Sequence, residues 1–254
     1  MTLKRSFTFL LMLMMVSVLT ACGNNDASDS KSQKKEVKVA LSAEVNPPYL
    51  YTNKDNEFVG LDMDYMKLIE KKLPQYDFKY EVGEEESNLV GIGSGKFDMG
   101  INWFFKTPER EKQFLYQDEP YSYALPLLVV NKDNSDIHSL QDLPGKKITP
   151  MAPSGGLYSI LTQFNKDHSS KIDINTIQEQ INADVKIGGI VKKEPLHIVY
   201  NKKHQKLHDD VDRATQELKD EGKLQSLSKK YFDINVFDDL SEINEQKDKL
   251  EVTN

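Results

Sequence analysis

The chain moves between two hydrophobic rhythms. "VKVAL" (Val37 to Leu41) is a short apolar run, as expected of a buried strand. The prolines of "NPPYLY" force an extended turn, after which Tyr49 and Tyr51 alternate as in a strand. "NKDNE" reads as a hairpin-like turn. In "GLDMDYMKLIEKKL", Met63, Met66, Ile69 and Leu73 keep near-helical spacing. "YDFKYEV" alternates like a strand. "SNLVGIGSGK" predicts a helix, with Ser87 as a candidate cap and glycines suited to its C-terminus. "FDMGINWFF" is a further strand. Strand, helix, strand, helix, strand is the order of an open α/β sheet. Ligands of such sheets bind in a crevice at the carboxyl ends of the strands. That place is the end of "GINWFF", directly before "KTPEREKQF".

A second cycle follows. "YALPLLVVNK" predicts a buried strand, "SLQDLPGKK" a turn, and "ITPMAPSGGLYSILTQF" a strand followed by a helix. In that helix Leu157, Ile160, Leu161 and Phe164 share one apolar face. "IDINTI" is expected as a strand, and "EPLHIVYNK" alternates again. "KLHDDVDRATQELKDEGKLQSLSKKYF" predicts two helices broken at Gly222, with Leu207, Val211, Ala214 and Leu218 on one stripe. The acidic end, "DDLSEINEQKDKLEVTN", reads as a loose tail or a marginal last helix. No internal repeat of fixed period is visible.

The N-terminus changes the picture. Lys4 and Arg5 precede an apolar run from Phe7 to Leu19. A bilayer span needs about 20 such residues, so the run fits a secretory signal instead. Leu-Thr-Ala-Cys at its end resembles a bacterial lipobox, and Cys22 is the single cysteine of the chain. Acylation of Cys22 (palmitate among the expected chains) would tether the mature protein to a membrane surface and leave no thiol for disulfide or thiolate chemistry. Residues 1–21 are thus expected as signal peptide. Residues 22–36, without a large apolar side chain, are expected as a flexible tether. The mature part carries 31 basic and 40 acidic residues, a charge of −9, which argues against nucleic acid or an anionic bilayer as the main partner.

Three features could carry chemistry. In "KTPER", Thr107 is a good N-cap and Pro108 suits the first helical position, which puts Arg110 in a first turn beside the crevice. A guanidinium there can grip a carboxylate with two charge-assisted hydrogen bonds. The alternative is a surface arginine paired with Glu109, Glu111 or Asp118. In "MAPSGGLYS", Ser154 and two glycines open a helix, which is either an anion site or a plain cap. Trp103, Phe104 and Phe105, with Tyr49, could wall a small-molecule pocket, although alternation makes at least one of the three a core residue. "GIGSGK" misses the phosphate-loop spacing, and His204 and His208 lack a third metal ligand. No cofactor or metal is implied. With no paired acid and base in the crevice, an enzyme is not expected.

Together "PPYLYTNKDNEFVGLDMDYMKLI", "GKFDMGIN", "KTPER", "YQDEPY", the "LPGKK" turn and "EGKLQSLSKKYF" resemble the bacterial extracellular solute-binding proteins of family 3, which deliver polar amino acids to ABC importers. The wording "TPEREKQFLYQDEPY" is nearest to the cystine-binding branch. The resemblance implies a two-lobed periplasmic-binding-protein fold of type II, a monomer whose two α/β lobes are joined by two crossing strands and close on the ligand. Lobe 1 would be 37–124 plus 201–236, lobe 2 would be 125–200, and 237–254 a polar tail. It implies that Arg110 holds the ligand's α-carboxylate, that Ser154 adds a hydrogen bond from lobe 2, and that Asn46, Tyr49, Glu85, Asn102, Trp103, Phe105 and Met151 line the pocket. The partners implied are a small polar amino acid and ABC permease subunits, at the extracytoplasmic face of the cell membrane.

Two departures accompany the resemblance. Trp103 and Phe105 stand where the family has small or hydroxylated residues. After "IDINTI", about thirty expected residues are missing, roughly two secondary-structure units, so lobe 2 is expected to be short. The strand that normally supplies an acid for the ligand's ammonium is among them, and the surroundings of Asp184 do not match it. A surface lipoprotein that no longer binds amino acids is the alternative function.

Overall fold

The computed structural model describes residues 34–42, 47–101, 103–149, 156–174 and 184–250. Expectations placed on Cys22, Asn46, Asn102, Met151 and Ser154 lie outside the described residues.

The main sheet is built around β1 (Lys35–Ser42), whose Val37, Val39, Ala40 and Leu41 are fully buried. It pairs in parallel with β4 (Tyr76–Gly83) along its whole length, from Lys35 opposite Tyr76 to Ser42 opposite Gly83. On its other side it pairs in parallel with β5 (Met99–Ile101). β11 (Val199–Asn201) follows antiparallel, and β6 (Phe114–Tyr116) closes the order β4-β1-β5-β11-β6. Between β1 and β4 lie the hairpin of β2 (Tyr51–Thr52) and β3 (Phe58–Val59) and then α1 (Leu61–Lys72). α2 (Glu85–Ser94) connects β4 to β5.

Both faces of the sheet are covered, as parallel strands require. On one face α1 buries Leu61, Met63, Tyr65, Met66 and Ile69 together with Leu207, Val211, Ala214 and Leu218 of α5 (Gln205–Asp220). The two predicted stripes therefore meet in one core. On the other face Ile92, Phe97, Phe104, Phe114, Tyr116 and Val199 pack around Ala40. Gly222, at φ 69°, breaks α5 from α6 (Lys223–Phe232), as the sequence predicts. Residues 240–245 form a helix, whose Ile243 is fully buried against Ile190, Ile234 and Val236.

The chain leaves the main sheet through β7 (Ser122–Ala124) and returns through β10 (Glu194–Leu196), and these two strands pair antiparallel. Beyond them lies a two-stranded sheet of β8 (Leu127–Asn131) and β9 (Val185–Ile190). α4 (Gly156–Asp167) contributes Leu161 and Phe164 to a small core with Leu143 and Ile172.

Several local expectations need correction. Ser87 is not the cap of α2: the helix starts two residues earlier, at Glu85. "YALPLLVVNK" is two strands separated at Pro126, which lacks the N–H a continuous ladder needs, and β8 is mostly half-buried or exposed. The strand in "FDMGINWFF" is short. Phe105 N–H donates to the Trp103 carbonyl at 2.8 Å, and this tight turn takes the chain out of the sheet. No strand forms over 147–149 or 171–174. Leu157, placed on the apolar face of its helix, is 46% exposed.

Gly60 has φ 122°, outside the range of L side chains. The turn lets the carbonyls of Pro48 and Tyr49 accept the first N–H groups of α1, from Leu61 and Asp62, both at 3.0 Å. A β-carbon at Gly60 would sit 2.3 Å from the Tyr49 carbonyl oxygen. We expect Gly60→Ala to lower unfolding free energy by at least about 2 kcal/mol. Urea denaturation checks this, and a loss below about 0.5 kcal/mol would contradict the strain argument.

Candidate functional site

Parallel pairing brings the carboxyl ends of β4, β1 and β5 to one edge of the sheet, so the segments that follow them converge there. After β4 comes Glu85, the first residue of α2. After β5 come Trp103, Phe104 and Phe105, then α3 (Pro108–Glu111).

The short helix forms as its sequence predicts. Thr107 Oγ1 accepts from the Arg110 backbone N–H at 3.2 Å, and Pro108 occupies the first turn. The Arg110 side chain turns back to the crevice. Its Nη1 donates to the Phe105 carbonyl at 3.2 Å, and its Nη2 donates to Glu85 Oε1 at 2.7 Å. The partner is thus Glu85, not Glu109, Glu111 or Asp118. Glu111 instead pairs with Lys106 at 3.1 Å. Tyr116 O–H donates to the same Phe105 carbonyl at 3.2 Å, and burial pushes its phenol up to about 12.

The three consecutive aromatics divide as alternation requires. Phe104 is core, 1% exposed, whereas Trp103 and Phe105 are half-buried. Tyr49 meets Trp103 edge-on at 5.1 Å, and Trp103 meets Phe105 edge-on at 5.7 Å. The Tyr49 hydroxyl donates to the Tyr123 carbonyl at 3.1 Å, so Tyr49 buttresses Trp103 from below. Trp103 itself has φ 54°, a costly backbone state for a bulky residue. Its indole N–H is buried and has no acceptor among the described residues.

Sequence reasoning missed a buried polar network beside these rings. Asp62 is fully buried, and its Oδ1 accepts from the Tyr121 hydroxyl at 3.0 Å. Tyr121 stacks on Tyr65 at 4.7 Å. Tyr65 O–H shares a 2.7 Å contact with Thr215 Oγ1, and Gln117 Nε2 donates to both oxygens. Gln117 in turn exchanges backbone and side-chain bonds with Ile198. The signal was present in the sequence: Asp62 precedes Tyr65, Met66 and Ile69 by three, four and seven, on the buried face of α1.

The two histidines have other occupations. His204 pairs with Asp98 at 2.9 Å, while His208 contacts the Tyr116 carbonyl at 3.0 Å and Asp209 at 2.9 Å. No group of three or more metal-ligating side chains exists among the described residues. Asp184 is 85% exposed and lies 3.6 Å from Lys132. An apolar cavity of about 310 Å³ opens beside β8, lined by Leu128, Val130, Ile137, Leu140, Leu143 and Leu161 among others. None of the crevice residues lines it.

Residues 37–234 match the model of the bacterial extracellular solute-binding proteins, family 3. The chain belongs to this family. It is 29% identical over 252 residues to the L-cystine-binding protein TcyJ of Bacillus subtilis, covering 87% of this chain and 93% of that one. It is 26% identical over 248 residues to the L-cystine-binding protein TcyK of the same organism, covering 85% and 92%. The crystal structure of the probable amino-acid ABC transporter extracellular-binding protein ytmK from Bacillus subtilis superimposes with a TM-score of 0.67 at 26% identity, covering 78% of this chain and 98% of that one. The fold is therefore the two-lobed, type II periplasmic-binding-protein fold. The β7–β10 ribbon occupies the place between the main sheet and the β8–β9 sheet.

Burial pushes the Asp62 carboxyl up to about 8, against the smaller opposing effect of the Tyr121 hydrogen bond. A raised carboxyl means that the folded state binds this proton more tightly than the unfolded chain. Its contribution is fully present below about pH 4 and is lost as pH rises through about 8. Asp62→Asn keeps an acceptor for Tyr121 and removes the charge. We expect the variant to gain at least about 1 kcal/mol over wild type on going from pH 5 to pH 8.5, read by urea unfolding at both values. Parallel pH profiles for the two proteins would show that Asp62 does not titrate in this range.

Proposed function

We propose that the protein is an extracytoplasmic receptor that captures a polar amino acid, with L-cystine as the first candidate, and presents it to the membrane subunits of an ABC importer. It makes or breaks no bond. The observation that carries this reading is Arg110. Its backbone is fixed by the Thr107 cap and its guanidinium by Glu85 and Phe105, at the edge where three parallel strands end. Arg110 takes the ligand's α-carboxylate with paired charge-assisted hydrogen bonds. Trp103 and Phe105 bound the ligand's side chain, with Tyr49 behind them. Apolar, polarisable walls suit a long or sulfur-bearing side chain. The names of TcyJ and TcyK support the same ligand class.

Asn46, Asn102 and Met151 complete the pocket in this reading, and Ser154 adds a hydrogen bond from the second lobe when the lobes close. Acylation at Cys22 holds the receptor at the cell membrane as a monomer. A receptor that has lost amino-acid binding is the second reading. It is favoured by the β8–β9 sheet, which has two strands among the described residues, and by the apolar cavity beside it.

Calorimetric titration with the twenty amino acids and L-cystine decides between the two. We expect tight binding of one of them, and a loss of about 100-fold in affinity for Arg110→Ala. Unchanged affinity in that variant removes Arg110 from the site. No heat from any ligand, with cooperative unfolding intact, selects the second reading.

A further inference from the structure

The crevice carries two opposite charges on the larger lobe, and only one of them is accounted for by a carboxylate. Arg110 Nη2 and Glu85 Oε1 are 2.7 Å apart, yet their side chains remain 24% and 40% exposed. The contact is a single hydrogen bond, not a closed fork. The guanidinium also lies beside the Tyr116 hydroxyl, and Glu85 is the carboxylate that pairs with it among the described residues. Among those residues no other donor reaches either oxygen of Glu85. The ion pair is thus made through one hydrogen bond, and both side chains keep surface open to a ligand.

We propose that Glu85 pairs with the solute's α-ammonium while Arg110 holds its α-carboxylate, so that both charged ends of an amino-acid zwitterion are read by the larger lobe. This rests on the receptor reading above. The electrostatics favour it. A neutral pair such as Arg110–Glu85 offers a simple anion little net attraction, and an incoming carboxylate alone would face the Glu85 carboxylate as well as the guanidinium. A zwitterion laid antiparallel meets opposite charge at each end. The arrangement also removes the cost of an unpaired ammonium, because a buried cation without a partner is expensive. Asp184, just before β9, is exposed and sits beside Lys132.

A competing role for Glu85 is to occupy the carboxylate's place until ligand displaces it. The two roles predict opposite responses to charge removal. The test uses the full chain and two probes, L-cystine and its desamino analogue 3,3′-dithiodipropionate, titrated into wild type, Glu85→Gln and Glu85→Asp. If wild type binds a different amino acid, that amino acid and its desamino acid replace the pair. Glu85 is half-exposed at a helix start, and thermal melts confirm that the variants fold. We expect Glu85→Gln to weaken the amino acid by at least about tenfold and to leave the desamino acid unchanged or tighter. Glu85→Asp, which keeps the charge, retains more of the discrimination. Equal weakening of both probes, unchanged binding of both, or tightening of both overturns the assignment and leaves the receptor reading standing. Heat from no amino acid in wild type refutes the receptor reading itself, and the pairing with it.

Discussion

Everything at the crevice depends on the parallel pairing of β1 with both of its neighbours. Parallel strands run in one direction, so three consecutive strand ends reach one edge of the sheet. Glu85 and the segment from Trp103 to Arg110 arrive there from different connections, 25 residues apart in the case of the ion pair. An antiparallel neighbour in place of β4 or β5 would send one of those segments to the opposite edge. The pairing survives because β1 is covered on both faces: Val37, Val39 and Leu41 pack in the core with α1 and α5 on one side, and Ala40 packs in a cluster with Phe104 and Phe114 on the other.

On that frame the crevice combines two kinds of surface. Trp103 and Phe105 are half-buried apolar rings near Arg110, and apolar surface beside a charge contact reduces its screening by water. The Arg110–Glu85 pair supplies the charge. Its strength comes from being held and only partly desolvated: a fully buried pair would cost more in hydration than the contact returns. The left-handed backbone of Trp103 fits the same logic. A strained conformation at a ring in the crevice persists only where neighbours over-determine it, here Tyr49 below and Phe105 beside it.

Behind the crevice, polar atoms tie distant segments together. Asp62 at the start of α1 reaches Tyr121, next to β7, and Tyr65 reaches both Gln117 and Thr215 of α5. Each of these groups is buried, so each bond replaces one to water and is costly to lose. The network holds α1 and α5 against the stretch where the chain departs for the smaller sheet. It therefore joins the packing of the main lobe to the root of the β7–β10 ribbon.

Local chemistry by itself determined the apolar stripes of α1 and α5 and the cap of α3. The stripes of α1 and α5, the break at Gly222, the turn at Asn53–Glu57 and the Thr107–Pro108 start are all fixed by neighbours within a few residues, and each stands where the sequence puts it. The same locality required at least one of Trp103, Phe104 and Phe105 to be core, and Phe104 is that residue. Tertiary structure decided what depends on distant partners. Glu85, not a nearby acid, pairs with Arg110, because the sheet order places the start of α2 beside α3. Tyr121, remote in sequence, is the group that bonds the buried Asp62 carboxyl. Pro126 splits an apolar run that periodicity alone reads as continuous, because a proline breaks a ladder only where its N–H would have been needed. Hydrophobic spacing records which face a residue turns inward; it carries no record of which partner waits there.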